Sequence, residues 1–464
     1  MLSVLVHTLG CKLNQLESEA FTDAFLQAGF VLFNPLNGTF PSIIVVNTCT
    51  VTSKADQKAR RVIRKQLRDY PDSVIIVTGC YAQLEKSKIN FLDNGRSGRL
   101  FVLKGMEKEN ILSLPHFLKA DNVNKNNNLL RVLKTWQEKD AGNSAGTVGA
   151  FQFSPVKFSG HTRSFLKIQD GCDKHCTYCR IRLARGPSVS LASDIALERL
   201  RILAENHAET VLTGVNICQY RDEKFLKGGD SGGLEALLEY LLCGTTKICL
   251  RLSSLAPDSV NENFAKIISN KRIRPHFHLS VQSGNKKILE KMGRGYNAEA
   301  VRNAAALLRS VKDDPFLACD IITGFPGETE AEFTETLELC REIGFAWIHV
   351  FPYSKRPGTQ AFSFSESVPE SEILRRARLL TDLAWQGRAD YIRRWLGGEV
   401  NVLIENGLRT KTACRGVSEN YLKMLVQYNG KKSPPPGNIL RCRILKDQKI
   451  DKCNKDFDAV AEEI

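Results

Sequence analysis

The sequence contains no run of about 18 or more apolar residues, the length a membrane-spanning helix needs, and its apolar start MLSVLVHTLG has no basic flank and no small-residue cleavage site. Neither a membrane span nor a secretory signal is expected, and the chain reads as cytoplasmic with no membrane partner. Cysteine is too scarce for a disulfide scaffold. Fourteen in 464 residues point, in a reducing compartment, to thiols, metal ligands or catalytic groups. The hydrophobic fraction of 42% is enough to fill cores, and the length is too great for one of them, so two or three domains are expected. Lys and Arg number 65 against 51 Asp and Glu, a formal +14 that suits a polyanionic partner without identifying it.

Three short β-branched runs open the chain, 3–10 (SVLVHTLG), 42–48 (SIIVVNT) and 73–79 (SVIIVTG), each followed at once by a cysteine: Cys11, Cys49 and Cys80. They read as buried parallel strands, with helical stretches over 14–28 and 53–69, giving an α/β fold that begins with an N-terminal open parallel α/β domain over 1–119. Parallel strands of one sheet end at one edge, so three strand-to-helix loops converge on the rim where open α/β sheets place their ligands. Either each cysteine is a small buried hydrophobe, or together they hold a metal cluster.

Residues 120–161 are polar and irregular, with DNVNKNNN and AGNSAGTVG, and read as a linker carrying one hairpin. Six strand-like segments follow, at 164–169, 210–215, 248–252, 276–281, 317–322 and 346–351, with helical patterns separating most of them. Six units are too few for a closed eight-stranded barrel, so 162–396 is expected to form a central partial (β/α)6 barrel with a trailing helix from about residue 370. Segments 400–405, 412–417, 421–426 and 439–445 suggest a C-terminal small β-barrel over 397–450, with PPPG at 434–437 as a loop and 451–464 as a tail.

A second cysteine set stands directly after the first barrel strand, as GCDKHCTYC with Cys172, Cys176 and Cys179. Intervals of three and two residues put three thiolates on one tight loop, which can hold three irons of a cubane and leave the fourth without a protein ligand. Structural zinc is the competing reading, but it wants four ligands in closely spaced pairs and only His175 is nearby.

The gapped triplet resembles the radical S-adenosylmethionine (SAM) superfamily, and the resemblance extends along the chain. TLGCKLNQLES, NTCTVT, TGCYAQ, SFLKIQDGCDKHCTYC, VLTGVNI, RLSSLAP, HFHLSVQSGNKKILEKMGRGY, DIITGFPGETEAEF and VFPYSKRPGTQAF together resemble the methylthiotransferases, from residue 8 to about residue 362. VLIE and GVSENYLKM resemble the closing TRAM module of that family, a small β-barrel associated with RNA binding. The resemblance implies two 4Fe-4S clusters, an auxiliary one on Cys11, Cys49 and Cys80 and a radical one on Cys172, Cys176 and Cys179, with SAM as cofactor. One SAM would supply a methyl group to sulfur on the auxiliary cluster and a second the radical, so no side chain is assigned as catalytic. The requirement for a radical is physical: an unactivated aromatic C–H lies beyond acid and base catalysis because the carbanion would be far too basic.

TLGCKLNQ with TGCYAQ is similar to the branch that converts N6-threonylcarbamoyladenosine beside the tRNA anticodon to its 2-methylthio derivative. The implied partners are tRNA through its anticodon loop, an electron donor such as flavodoxin or ferredoxin, and a sulfur source. Other members act on another tRNA adenosine derivative or on a ribosomal protein aspartate. An iron-sulfur RNA-binding protein without turnover is the alternative from another class. After Cys179 the chain departs from the family pattern: RIRLARGPSVSLAS keeps an Arg-Gly turn, Arg185 and Gly186, but has Arg180 and Arg182 at apolar and proline positions and Leu191 at an arginine position.

Tyr178, Gly214 and Gln282 are expected on the cofactor side, against the alternative of core or turn. A basic helix with Lys54, Lys58, Arg60, Arg61, Arg64, Lys65 and Arg68 would either track phosphates or form a solvated face. Residues 351–450 hold 18 Lys and Arg against 9 Asp and Glu, which favours the tail as RNA grip with Tyr421 and Tyr428 as stacking platforms. Cys218, Cys243, Cys249, Cys319, Cys340, Cys414, Cys442 and Cys453 form no recognisable ligand set.

Overall fold

The computed structural model describes residues 2–35, 40–93, 97–121, 128–140, 147–155, 158, 160–226, 232–428, 433–448, 450 and 456–464. Cys453 and part of the expected linker lie outside them. The chain forms two compact units: Met1–Ser159 with Lys167–Asp173 and Cys179–Leu191, and Gly160–Leu166 with Lys174–Tyr178 and Ala192–Ile464.

Unit 1 is built on β1 (Ser3–Thr8), α1 (Lys12–Gln27), β2 (Val31–Leu32), β3 (Ile43–Thr48), α2 (Ser53–Asp69), β4 (Val74–Gly79), α3 (Cys80–Asn90), β5 (Leu100–Val102), α4 (Asn110–Ala120) and α5 (Leu129–Asp140). Its five strands run parallel in the order β2-β1-β3-β4-β5. Every residue of β3 and β4 is buried, as a parallel strand covered on both faces requires. Alternate residues separate two apolar layers. Ile43, Val45, Val74 and Ile76 pack with Phe21 and Phe25 of α1 and with α4 and α5. Ile44, Val46, Ile75 and Val77 pack with Ala59 and Ile63 of α2 and Tyr81 of α3.

The stretch expected to be a polar linker with a hairpin instead contributes α5, whose Leu129, Leu133 and Trp136 are buried in the first layer along with Phe153. Its polar flanks hid an amphipathic helix.

The chain continues through β6 (Ser164–Lys167), β7 (Gln169–Asp170), α6 (Ile181–Arg185) and β8 (Val189–Ser190), of which β7 and β8 pair antiparallel within unit 1. Unit 2 then alternates α7 (Ser193–Ala204), β9 (Glu209–Thr213), α8 (Glu223–Leu226), α9 (Leu234–Gly244), β10 (Cys249–Leu252), α10 (Glu262–Ile268), β11 (His276–Gln282), α11 (Lys286–Lys291), α12 (Ala298–Val311), β12 (Phe316–Thr323), α13 (Glu330–Ile343), β13 (Trp347–Pro352) and the long α14 (Glu370–Trp395). The strands order as β10-β9-β6 and β11-β12-β13, joined by parallel bridges at Leu250–Ile273 and Leu255–Leu279, which is the expected partial barrel.

Strands β14 (Glu399–Arg409), β15 (Ala413–Ser418), β16 (Lys423–Gln427), β17 (Ile439–Ile444) and β18 (Ala459–Glu463) close a small barrel in the order β14-β15-β16-β18-β17. The segment read as a tail thus supplies its fifth strand, with Ala459 and Ala461 inside. This barrel shares a core with β12 and α14 through Phe316, Ala318, Tyr391 and Ile392.

Candidate functional site

In unit 1 the strand order reverses between β1 and β3, and open sheets of this order bind ligands at that switch point, beyond the carboxyl ends of the strands. Cys11 follows β1 and caps α1, Cys49 follows β3, and Cys80 follows β4 as the first residue of α3. Two glycines allow the approach. Gly10 has φ +114°, and a Cβ on it would stand 2.5 Å from the Cβ and 2.9 Å from the sulfur of Cys49. Gly79, with φ +97°, would place a Cβ 2.4 Å from the Thr48 carbonyl oxygen. Asn14 ties the loops together, its Nδ2 donating to the Leu9 carbonyl at 2.7 Å and the Thr48 carbonyl at 3.0 Å.

Cys11 is exposed, while Cys49 and Cys80 are buried. Burial pushes the Cys49 thiol up to about 12, with Cys11 and Cys80 adding to it, so a bound cation would be needed to hold it as thiolate. Among the described residues no three Cys, His, Asp or Glu side chains surround a single ion. The donor set suits a cubane, in which each cysteine binds a different iron.

Beside these thiols lies a buried group of five charges. Arg185 Nη1 donates to Glu17 Oε1 and Asp170 Oδ1, each at 3.0 Å, and its Nη2 to Asn14 Oδ1 at 3.0 Å. Lys108 reaches Glu17 at 2.5 Å, and Lys167 pairs with Asp170. Burial alone would raise the Glu17 carboxyl, but Arg185, Lys108 and Lys167 outweigh it and bring it to about 2. A cavity of about 430 Å³ opens here, lined by Cys80, Lys108, Asp170 and Arg185 among others. The sequence offered only the Arg-Gly turn as a sign of this group. The two unusual arginines also lie in unit 1: Arg180 is buried, with Nη2 3.1 Å from Glu85 and with Nε and Nη1 unbonded among the described residues, and Arg182 donates to the Asp173 carbonyl.

Cys172 and Cys179 belong to unit 1, where the Cys172 amide donates to the Gly186 carbonyl at 3.1 Å and the Ile181 amide to the Cys179 sulfur at 3.5 Å. Cys176 belongs to unit 2, where Arg294 Nη1 donates to its sulfur at 3.4 Å. Thr177 is held by the Met292 and Lys291 carbonyls, at 3.0 and 2.8 Å.

Of the residues expected near the cofactor, Tyr178 packs edge-on to Phe325 with centroids 6.5 Å apart. Gly214 follows β9 and is half-buried. Gln282 ends β11 where the register with β12 shifts, and takes φ +69°, a conformation uncommon outside glycine.

A polar group that the sequence reading missed sits on the barrel strands of unit 2. His278 Nδ1 lies 2.9 Å from Ser254 Oγ, and its Nε2 is 3.0 Å from Asp320 Oδ1 but out of line for a hydrogen bond. His349, in register with Asp320, has its ring centroid 5.0 Å from that of His278. Cys319 faces Cys340 of α13, so Asp320 lies on the face away from the helices. Polar residues two apart in the apolar strand HFHLS were the available signal.

The expected stacking tyrosines are not free. Tyr421 packs against His276 at 3.9 Å between centroids and beneath the Arg251 guanidinium, and Tyr428 is buried with its hydroxyl donating to the Thr410 carbonyl at 2.6 Å.

A three-cysteine loop after the first strand of a partial parallel barrel defines a radical SAM enzyme, and residues 166–340 match the Radical SAM superfamily. Residues 3–95 match the uncharacterized protein family UPF0004. The threonylcarbamoyladenosine tRNA methylthiotransferase MtaB of Treponema pallidum is 36% identical over 492 aligned positions, covering 96% of this chain and 98% of that one. The MtaB protein of Thermotoga maritima is 34% identical, covering 91% of each. The chain belongs to the MtaB family of radical SAM tRNA methylthiotransferases. Membership implies SAM and a 4Fe-4S cluster. Among solved structures, the radical SAM methyltransferase TsrM of Kitasatospora setae shares the fold, with a TM-score of 0.51 and 14% identity over 78% of this chain and 76% of that one.

Proposed function

We propose that this enzyme converts N6-threonylcarbamoyladenosine beside the tRNA anticodon to its 2-methylthio derivative, using a radical cluster on Cys172, Cys176 and Cys179 and an auxiliary cluster on Cys11, Cys49 and Cys80. The observation that carries the substrate is the near end-to-end match to relatives named for it. The convergence of three thiols at the unit 1 switch point supports the second cluster. When bound, the clusters and SAM supply the radical and sulfur chemistry that no side chain can. The protein's part is to hold and orient. Arg294 fixes the Cys176 sulfur, and Gly10, Gly79 and Asn14 hold the first cysteine rim in shape.

The proposed partners are tRNA, an electron donor such as flavodoxin or ferredoxin, and a sulfur source, in the cytoplasm. No helix among the described residues is long and apolar enough to cross a membrane. A second reading, another tRNA adenosine derivative, is favoured by a relative from Carboxydothermus hydrogenoformans, 31% identical and named tRNA-2-methylthio-N(6)-dimethylallyladenosine synthase. Mass spectrometry of tRNA nucleosides from cells with and without the gene separates the two.

The cluster roles are tested by product pairs under strong reductant. Cys49→Ala should still cleave SAM to 5′-deoxyadenosine while failing to methylthiolate tRNA, and Cys176→Ala should lose both. Methylthiolated tRNA from the Cys49 variant, or undiminished 5′-deoxyadenosine from the Cys176 variant, would reverse the assignment.

A further inference from the structure

The five buried charges of unit 1 do not balance. Lys108, Lys167 and Arg185 face Glu17 and Asp170, leaving one positive charge in excess inside the protein. The side chains of this group are between 0% and 9% exposed, so water does not screen the excess. The next carboxylate, Glu109, is half-buried; Lys108 and Lys167 favour its charged form without forming an ion pair with it among the described residues, so it acts on the two lysines rather than on Arg185. An isolated buried charge is costly unless an opposite one meets it. The guanidinium of Arg185 lies within electrostatic reach of Cys11 and Cys80, and donates at 3.0 Å to Asn14 Oδ1, which stands 3.8 Å from the Cys11 sulfur. The cavity lined by Cys80 and Arg185 leaves room for a group far larger than one water.

We infer that Arg185 is the counter-cation of the auxiliary cluster: the excess positive charge of the buried quintet is matched by the anionic cluster on Cys11, Cys49 and Cys80, and sets its reduction potential. Arg185 is thus a positioning and electrostatic residue, acting through the cluster ligands. Placed six residues after Cys179, it joins the radical motif in sequence to the auxiliary site in space. The inference rests on the reading of Cys11, Cys49 and Cys80 as cluster ligands.

A full-length protein with Cys172, Cys176 and Cys179 replaced by Ala isolates the auxiliary cluster for an anaerobic redox titration followed by electron paramagnetic resonance. At the midpoint of this parent, Arg185→Gln should lower the ratio of reduced to oxidised cluster at least about tenfold, a shift of about 59 mV for a one-electron couple. Glu17→Gln, which removes a negative charge and keeps the side-chain shape, should raise that ratio. Arg185→Lys and the double variant Arg185→Gln/Glu17→Gln should lie close to the parent. If Arg185→Gln holds no iron, Glu17→Gln decides alone. A parent that binds about four irons while Glu17→Gln and Arg185→Gln leave the potential unmoved overturns the inference and spares the cluster assignment. A parent that binds no iron overturns both.

Discussion

Glu209→Gln should destabilise unit 2 by several kcal/mol without touching any of the six proposed cluster cysteines. Glu209 opens β9, its side chain is 2% exposed, and its two oxygens meet Arg251 at 2.7 Å and Arg274 at 2.8 Å. Arg274 extends the network to Glu419 at 3.2 Å, beside β15, so one carboxylate links the partial barrel to the closed one. Burial alone would raise this carboxyl. The guanidiniums of Arg251, Arg274 and Arg163 outweigh burial and hold it at about 2. Lying at about 2 rather than 4.5, it contributes about 3 kcal/mol. Breaking a buried ion pair from one side costs about 3–5 kcal/mol, which agrees. Because the folded value is depressed, this stability is fully present above about pH 4.5 and is lost as pH falls toward 2. Urea unfolding reports it through tryptophan fluorescence, since Trp347, Trp385 and Trp395 all lie in unit 2. The gap between wild type and variant should be about 3–5 kcal/mol at pH 7 and shrink on acidification below pH 4.5. A gap under about 1 kcal/mol at pH 7, or one independent of pH, would refute the reasoning.

Three further outcomes are expected. Gly79→Ala should reduce auxiliary-cluster iron and destabilise unit 1 by more than about 1 kcal/mol, because the new methyl would meet the Thr48 backbone and φ is positive; iron analysis and denaturation check this. His278→Asn should lower methylthiolated product at least about tenfold while iron content and SAM cleavage persist, if the Ser254, His278 and Asp320 group handles substrate on the inner barrel face; wild-type turnover would end that idea. Lys54, Lys58, Arg61 and Lys65 form one exposed stripe on α2, whereas Arg441 and Arg443 are paired to Glu399. Lys58→Glu with Arg61→Glu should therefore flatten the logarithmic salt slope of tRNA binding by about 1.4–1.8, two phosphate contacts' worth, and an unchanged slope would return the RNA grip to the closed barrel.

The features readable from sequence were those with a local signature. Runs rich in β-branched residues, followed by Cys11, Cys49 and Cys80, marked β1, β3 and β4, and β3 and β4 are buried throughout, as strands covered on both faces are. Helix α5 was missed because Leu129, Leu133 and Trp136 sit between polar, asparagine-rich flanks that read as linker. Strand β18 was missed because AVAEE buries only Ala459 and Ala461, residues too small to announce a core position. The charged quintet has no local signature. Its members are spread from Glu17 to Arg185, and only folding makes them neighbours. Tyr421 and Tyr428 were misjudged for the same reason: composition cannot tell an aromatic offered to a base from one packed under an arginine or hydrogen-bonded in a barrel.

Unit 1 is discontinuous in the chain, taking in 167–173 and 179–191 after its first 159 residues. A fragment ending at residue 159 would keep Glu17 and Lys108 but lack Lys167, Asp170 and Arg185, exchanging a five-membered charge lattice for a single pair. It would also lack the antiparallel pairing of β7 with β8. The two sequence modules that similarity delimits, 3–95 and 166–340, are therefore not interchangeable parts. Swapping the first between relatives requires carrying the Arg-Gly turn of the second with it, so the pair is expected to be inherited, and engineered, as one piece.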